Sequence, residues 1–227
     1  MIATDELVKR VRRLLNEAEE DTELALLSED TRSINEHIVR LLPQAVALVQ
    51  KNKAADVGNV NPRSVDAKET VVADCGNGIG VLILPADFYM LVSLQLAGWK
   101  RPCRRLSGAG SGEALAQHSK YTRAGVCRPV CVESVTAAGE RAVLLSPLPA
   151  DGGSEIAHFV YEATFNADEG LVGGDVVLAD AVAYYCAALL YGVFERQDQA
   201  NAFLSLATLL CNRICDFKRW STRTLEH

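Results

Sequence analysis

The feature that most constrains this chain is a nearly uninterrupted apolar run, VVLADAVAYYCAALLYGVF, from Val176 to Phe194. The run is much longer than a typical strand, so it predicts a helix over residues 175–194. A membrane span is the second interpretation, because about 20 apolar residues cross a bilayer. Asp180 inside the run and the absence of a basic flank on its N-terminal side argue against a span, since a carboxylate in the bilayer core is costly. We therefore expect a helix buried in a protein core and no membrane contact.

Helical periodicity recurs near both ends of the chain. Apolar residues at helical spacing predict helices at 5–19 and 31–51, the second kinked at Pro43, which lacks a backbone donor. Another helix is expected at 197–219. The polar joint ERQDQAN that precedes it predicts a helical hairpin with the apolar helix.

The middle of the chain instead carries strand signals. Strands are predicted at 69–74, 81–85, 90–99, 128–135, 141–147 and 157–165. In the motif CGNGIG, Asn77 and Gly78 predict a tight hairpin turn. A phosphate-binding loop is disfavoured, because it needs a helix to begin at the glycines and strand-like residues follow them. Pro85 is expected to end one strand, and Asp87 to brace the turn before the next.

These elements predict an α+β fold. The expected organisation is N-terminal helices (1–52), a β-rich domain (53–172), a C-terminal helical hairpin packing with the N-terminal helices (173–220), and a tail (221–227) that ends in a tag-like Leu-Glu-His. Residues 52–70 are polar and are predicted to form a loop.

Composition argues against some classes of function and predicts the compartment. A net charge of −6 argues against non-specific nucleic-acid binding by the whole molecule but leaves room for a local basic patch. No signal peptide is visible at the N-terminus, and the seven cysteines have no CxxC spacing, so reduced thiols in a cytoplasm are expected.

Candidate reactive groups do not form a recognisable site. On a strand, Cys127 and Cys131 would lie about 13 Å apart, too far to share a metal ion. Cys211 and Cys215 would be neighbours on a helix, but no third ligand lies near them in sequence. The sequence contains neither a Gly-x-Ser-x-Gly elbow nor an HExxH motif around its histidines, which include His37, His118 and His158. We therefore predict no catalytic, metal or cofactor site, and a protein that is not an enzyme.

Two basic–aromatic clusters are the candidate contact sites. Each has an ordinary alternative: the first can be a solvated loop, and the aromatics of the second can pack on the chain's own core. The functional interpretation is contact with an acidic neighbour or a phosphate backbone. The predicted interface residues are Trp99, Lys100, Arg101, Arg104, Arg105, Phe217, Lys218, Arg219 and Trp220.

The order of several motifs is similar to that of a known family. The hairpin CGNGIG leads into LPADFYMLVSLQLAGWKRP, then HSKYTRAGVCRPVCVES, then a closing helical hairpin, and the opening DELVKRVRRLLNEAEED fits the same pattern. This order resembles tailed-phage head-to-tail connectors: the adaptor or tail-tubular-protein-A-like neck proteins, and the ring proteins of crAss-like phages and related prophages. The resemblance covers most of residues 5–215, and 51–70 match nothing firmly.

The resemblance implies a structural protein of the virion, made in the bacterial host cytoplasm. Such proteins form closed rings, usually of twelve subunits, between the portal and the tail or neck proteins. DNA passes through the axial channel without sequence-specific binding, and the isolated subunit can be monomeric. Relatives often contact the portal through the C-terminal segment, so deleting 216–220 should abolish docking on a portal ring without unfolding the chain. The alternatives are an interaction module of another pathway or a hydrolase-type enzyme.

Overall fold

The computed structural model describes residues 2–15, 34–53, 58–65, 72–119, 121–149, 153–171 and 176–223, with side chains as far as residue 212. The chain forms two compact units, one of 1–61 with 164–227 and one of 62–163. The first is helical and the second is built on sheets, so the predicted α+β class is confirmed. The boundaries of the β unit fall at 62 and 163, where the sequence predicted 53 and 172.

The helices and strands have the following bounds in chain order. They are α1 (Thr4–Leu14), α2 (Ile34–Asn52), β1 (Pro62–Ser64), β2 (Ala73–Asp74), β3 (Gly80–Ile83), β4 (Phe88–Leu96), β5 (Leu106–Ser107), α3 (Gly112–Ala116), β6 (Val130–Val135), β7 (Arg141–Ser146), β8 (Ile156–Ala163), α4 (Val176–Val193) and α5 (Gln197–Arg223).

The apolar run of the sequence is α4, the central helix of the helical unit. It packs against α1, α2 and α5, and ten of its residues are buried. By length and composition α4 could also cross a membrane, but the packing within the unit accounts for its apolar surface. Asp180, the exception in the run, is half-exposed and forms an ion pair with Arg10 of α1. The hydroxyl of buried Tyr185 accepts a hydrogen bond from Asn52 at 3.1 Å.

The β unit contains two sheets that share one core. A three-stranded antiparallel sheet has the order β1–β8–β4, and a five-stranded sheet has the order β2–β3–β7–β6–β5, in which only β5 runs parallel to its neighbour. Leu82 and Leu145 of the larger sheet and Phe88 and Phe159 of the smaller one belong to the same buried cluster. The sheets therefore bury their inner faces together.

The structure confirms two predictions that were made from turn residues. Asn77 and Gly78 both have positive φ, 56° and 74°, and link β2 to β3 in the predicted hairpin. Asp87 braces its turn as expected: it accepts a hydrogen bond from Tyr161 at 2.8 Å and pairs with Arg63 at 3.3 Å. The carboxylate thus ties the turn before β4 to β8 and β1.

Elsewhere the structure differs from the prediction or adds to it. Strand β1 lies within the stretch predicted to be a loop, because its pairing with β8 comes from the tertiary fold and not from an apolar pattern. The short helix α3 was not predicted; the Ser111 side chain caps it by accepting a hydrogen bond from the Ala114 amide at 3.2 Å. Pro43 lies inside α2, which runs from Ile34 to Asn52, and the expected kink at this residue stays a prediction.

Candidate functional site

The first predicted contact cluster follows β4 and begins at Trp99. Trp99 is only 2% exposed, and its indole N–H donates to the carbonyl of Pro147 at 2.8 Å. The preceding Gly98 lies so close to another loop that an added Cβ would be 2.6 Å from Pro149. The prediction that the Trp99 ring faces a partner is therefore corrected: this chain's own β unit covers the ring. Trp99 anchors the loop that carries the basic residues.

The cations beyond Trp99 lie on one continuous surface. Lys100, Arg101, Arg104, Arg105 and Arg128 are all exposed, and we call these five residues the basic surface. They line two adjoining depressions, which share Pro102, Arg128 and Pro129. The Lys100 amide donates to the carbonyl of Val126 at 2.9 Å, which ties the two loop segments together. The structure thus adds Arg128, distant in sequence, to the predicted cluster.

One carboxylate sits at the edge of the basic surface. Glu113 on α3 accepts hydrogen bonds from Ser107 and Arg105. The Ser107 hydroxyl, followed by Arg105, holds the pKa of Glu113 below its ordinary value. Glu113 is therefore ionised at neutral pH and already engaged by Arg105. Sequence inspection missed Glu113 because it lies eight residues beyond Arg105, with a glycine-rich turn between them.

Two thiols lie beneath the basic surface and line one of its depressions. Cys103 and Cys131 are both buried and unoxidised. The Cys103 sulfur accepts a hydrogen bond from the Cys131 thiol. This hydrogen bond lowers the pKa of Cys103 to about 7, although burial acts in the opposite direction. The same contact, together with burial, raises the pKa of Cys131. Cys103 is thus the thiol that ionises first, and Cys131 donates a hydrogen bond to its thiolate.

Cys131→Ala is expected to move the ionisation of Cys103 to higher pH. The substitution removes the donor that stabilises the Cys103 thiolate, so its pKa should rise from about 7 towards the ordinary value of 9.0. The pH dependence of iodoacetamide alkylation at Cys103, followed by peptide mass spectrometry, should show its midpoint rising by at least about 1 unit.

Cys131→Ser is the matched control, because the hydroxyl can still donate to the Cys103 thiolate. Its alkylation midpoint should stay close to that of the wild type. Cys127→Ala should also leave the midpoint unchanged, since Cys127 is exposed and lies outside the thiol contact. A midpoint that is unaltered in Cys131→Ala would show that the Cys131 thiol does not stabilise the thiolate.

The second predicted contact cluster lies in α5. The backbone of residues 217–220 is helical, and the side chains of Phe217, Lys218, Arg219 and Trp220 lie outside the described part of the chain. Their role as partner contacts stays a prediction.

The histidines are scattered over the molecule. The ring of His37 contacts Phe194 at a centroid distance of 6.4 Å, whereas His118 and His158 are exposed in the β unit. In the ranges that the structure describes, no three His, Cys, Asp or Glu side chains lie close enough to hold a metal ion. A scan against models of known protein families finds no match, and a search of curated proteins finds none. The function is therefore inferred from the chain's own residues.

Proposed function

We propose that the chain is a structural subunit of a ring at the head–tail junction of a tailed phage or prophage, with an axial channel for DNA. The main observation behind the proposal is that α5, the second helix of the α4–α5 hairpin, has exposed leucines on its outer side. Its inner side buries Ala207 and Cys211, while Leu206 and Leu209 are 45% and 52% exposed. A helix of this kind is suited to contact with another protein surface.

The exposed leucines of α5 lie on two flanks of the helix. Leu206 and Leu209 are three residues apart, which places them next to each other on one flank of α5. We call this pair the outer stripe. Leu204, 45% exposed, provides a separate apolar contact on the opposite flank. A subunit in a closed ring contacts a neighbour on each side through two different surfaces, so apolar residues on both flanks suit this arrangement.

The order of motifs supports a connector ring as the assembly. The hairpin at Asn77 and Gly78, the braced turn at Asp87 and the α4–α5 hairpin follow each other as in the connector family that the sequence resembles. In that assembly the partners are a portal protein on one side and tail or neck proteins on the other, and twelve copies close the ring.

Leu206→Glu with Leu209→Glu should prevent ring formation. About half of each leucine is still exposed in the subunit, so burying it between neighbours contributes about half of the 1.5 to 3 kcal/mol for full burial, and losing both weakens each contact by at least about 1.5 kcal/mol. Purified protein is mixed with the portal ring encoded by a neighbouring gene, and assembly is followed by light scattering and negative-stain electron microscopy. The wild type should add a ring to the portal, and the double variant should stay monomeric.

Asn201→Glu with Asn212→Glu is the matched control, because it adds the same two charges at exposed positions of α5. The control should assemble like the wild type. If the wild type does not join the portal, or if neighbouring genes encode no portal, terminase or major capsid protein, the connector proposal is wrong. Assembly of the leucine variant at wild-type strength would remove the outer stripe from the interface.

A further inference from the structure

The charges of this chain are segregated along the sequence. Seven of its 23 basic residues, but only one of its 29 acidic residues, lie between positions 98 and 130. This segment therefore carries a formal charge of +6, and the rest of the chain carries −12. An acidic protein that concentrates its cations in this way has a local positive potential that its total charge conceals.

Folding brings five of these seven cations together at the surface. The five residues of the basic surface surround two depressions joined at Pro102 and Pro129. Among the residues that the structure describes, Lys100, Arg101 and Arg104 form no ion pair. Glu113 is bound to Arg105 and Ser107 and also interacts with the charge of Arg128, so it partly neutralises that end of the surface and leaves Lys100, Arg101 and Arg104 at the other.

The composition of the basic surface favours a phosphate backbone over a protein. Four of its five cations are arginines, whose planar guanidinium groups match phosphate oxygens in a bidentate arrangement. The centre of a protein interface is rich in aromatic and apolar side chains. Here the aromatic residue of the cluster, Trp99, is buried, and prolines lie between the cations.

The same feature distinguishes duplex from single-stranded nucleic acid. Single-strand binding uses exposed aromatic rings on which bases stack. The ring of Trp99 is covered, and no aromatic residue lines either depression; Tyr121 of the same segment is 86% exposed but does not line them. Contact with a duplex needs only cations spaced along a backbone. We infer that the basic surface binds the phosphate backbone of duplex DNA, without reading its sequence.

This inference concerns the isolated subunit and does not require a ring. Its biological location rests on the proposed function, because in a connector the duplex would be the DNA that passes the channel. DNA binding is measured without a portal, and ring assembly is measured without DNA. A negative result in one experiment therefore does not contradict the proposal that the other experiment tests.

The test is the salt dependence of DNA binding. Fluorescence anisotropy of a labelled 24-base-pair duplex is measured between 50 and 200 mM NaCl with wild-type protein. Four phosphate contacts give a slope of about −3.6 in log K against log[salt], which is roughly a 100-fold loss of affinity over this range. A variant with four cations replaced should lose most of this slope and bind at least about 10-fold more weakly at 50 mM NaCl: Lys100→Ala, Arg101→Ala, Arg104→Ala and Arg128→Ala.

The matched control removes four exposed cations from the helical unit and so changes the net charge equally: Lys9→Ala, Arg40→Ala, Lys51→Ala and Arg196→Ala. It should bind DNA with nearly the wild-type slope. Three results would overturn the inference. These are no binding by the wild type at 50 mM NaCl, an equal loss in the control, or displacement of the duplex by polyglutamate at equal charge concentration, which would assign the surface to an acidic protein.

Discussion

Trp99→Ala is expected to destabilise the protein by about 3 to 5 kcal/mol, the range for truncating a buried aromatic side chain. The indole is 2% exposed, lies in the shared core of the two sheets and donates its N–H to Pro147. Alanine would leave a cavity in that core and remove the donor. Urea unfolding followed by far-UV circular dichroism should show the loss as a lower midpoint for the transition.

Trp99→Phe separates packing from hydrogen bonding. Phenylalanine keeps much of the buried apolar area but has no N–H, so a smaller loss of about 1 to 2 kcal/mol is expected. If Trp99→Ala changed the unfolding free energy by less than about 0.5 kcal/mol, as surface substitutions usually do, the indole would lie at the surface. That result would restore Trp99 to the partner interface.

Trp99 also shows where inference from sequence ends. The sequence shows an aromatic residue next to a run of basic residues. The neighbouring residues are the same whether the ring faces a partner or the protein's own core. The carbonyl that accepts from its N–H belongs to Pro147, 48 residues away. Which side of the ring is covered is thus decided by contacts that no local pattern contains.

The fold was predictable where one segment was sufficient to specify it. An apolar run too long for a strand specified α4, and a glycine-rich turn with positive φ specified the hairpin between β2 and β3. Strand β1 was not predictable in this way, because its three residues are polar or proline and their partners lie in β8. Edge pairing of this kind depends on the tertiary fold more than on strand propensity.

The candidate site was predictable in part for the same reason. Lys100, Arg101, Arg104 and Arg105 are close in sequence and were recognised as a cluster. Arg128 joins them through tertiary contacts, which include the hydrogen bond from the Lys100 amide to Val126 and the pairing of β5 with β6. The contact between Cys103 and Cys131 likewise joins segments that the sequence separates, so the thiol with the lowered pKa had no local signal.

Val182→Asp is expected to unfold the helical unit. Val182 is 0% exposed near the middle of α4, where helices pack around it. The substitution removes about 1.5 to 3 kcal/mol of apolar burial and places a carboxylate among the apolar side chains of the helical core, at a further cost of several kcal/mol. The sum approaches the whole stability of a typical domain, about 5 to 15 kcal/mol. The far-UV circular dichroism spectrum at 25 °C should lose most of its helical signal.

Val177→Asp provides the matched control on the same helix. Val177 is 37% exposed in the first turn of α4, where a negative charge interacts favourably with the helix dipole. Because nearly two thirds of Val177 is covered, the variant's unfolding free energy should fall by about 1 kcal/mol, far less than that of Val182→Asp. The two substitutions have identical chemistry, so a difference between them measures the burial of position 182. Equal losses from the two variants would show that α4 is not covered by its neighbouring helices, and the apolar run would then need another partner, such as a bilayer.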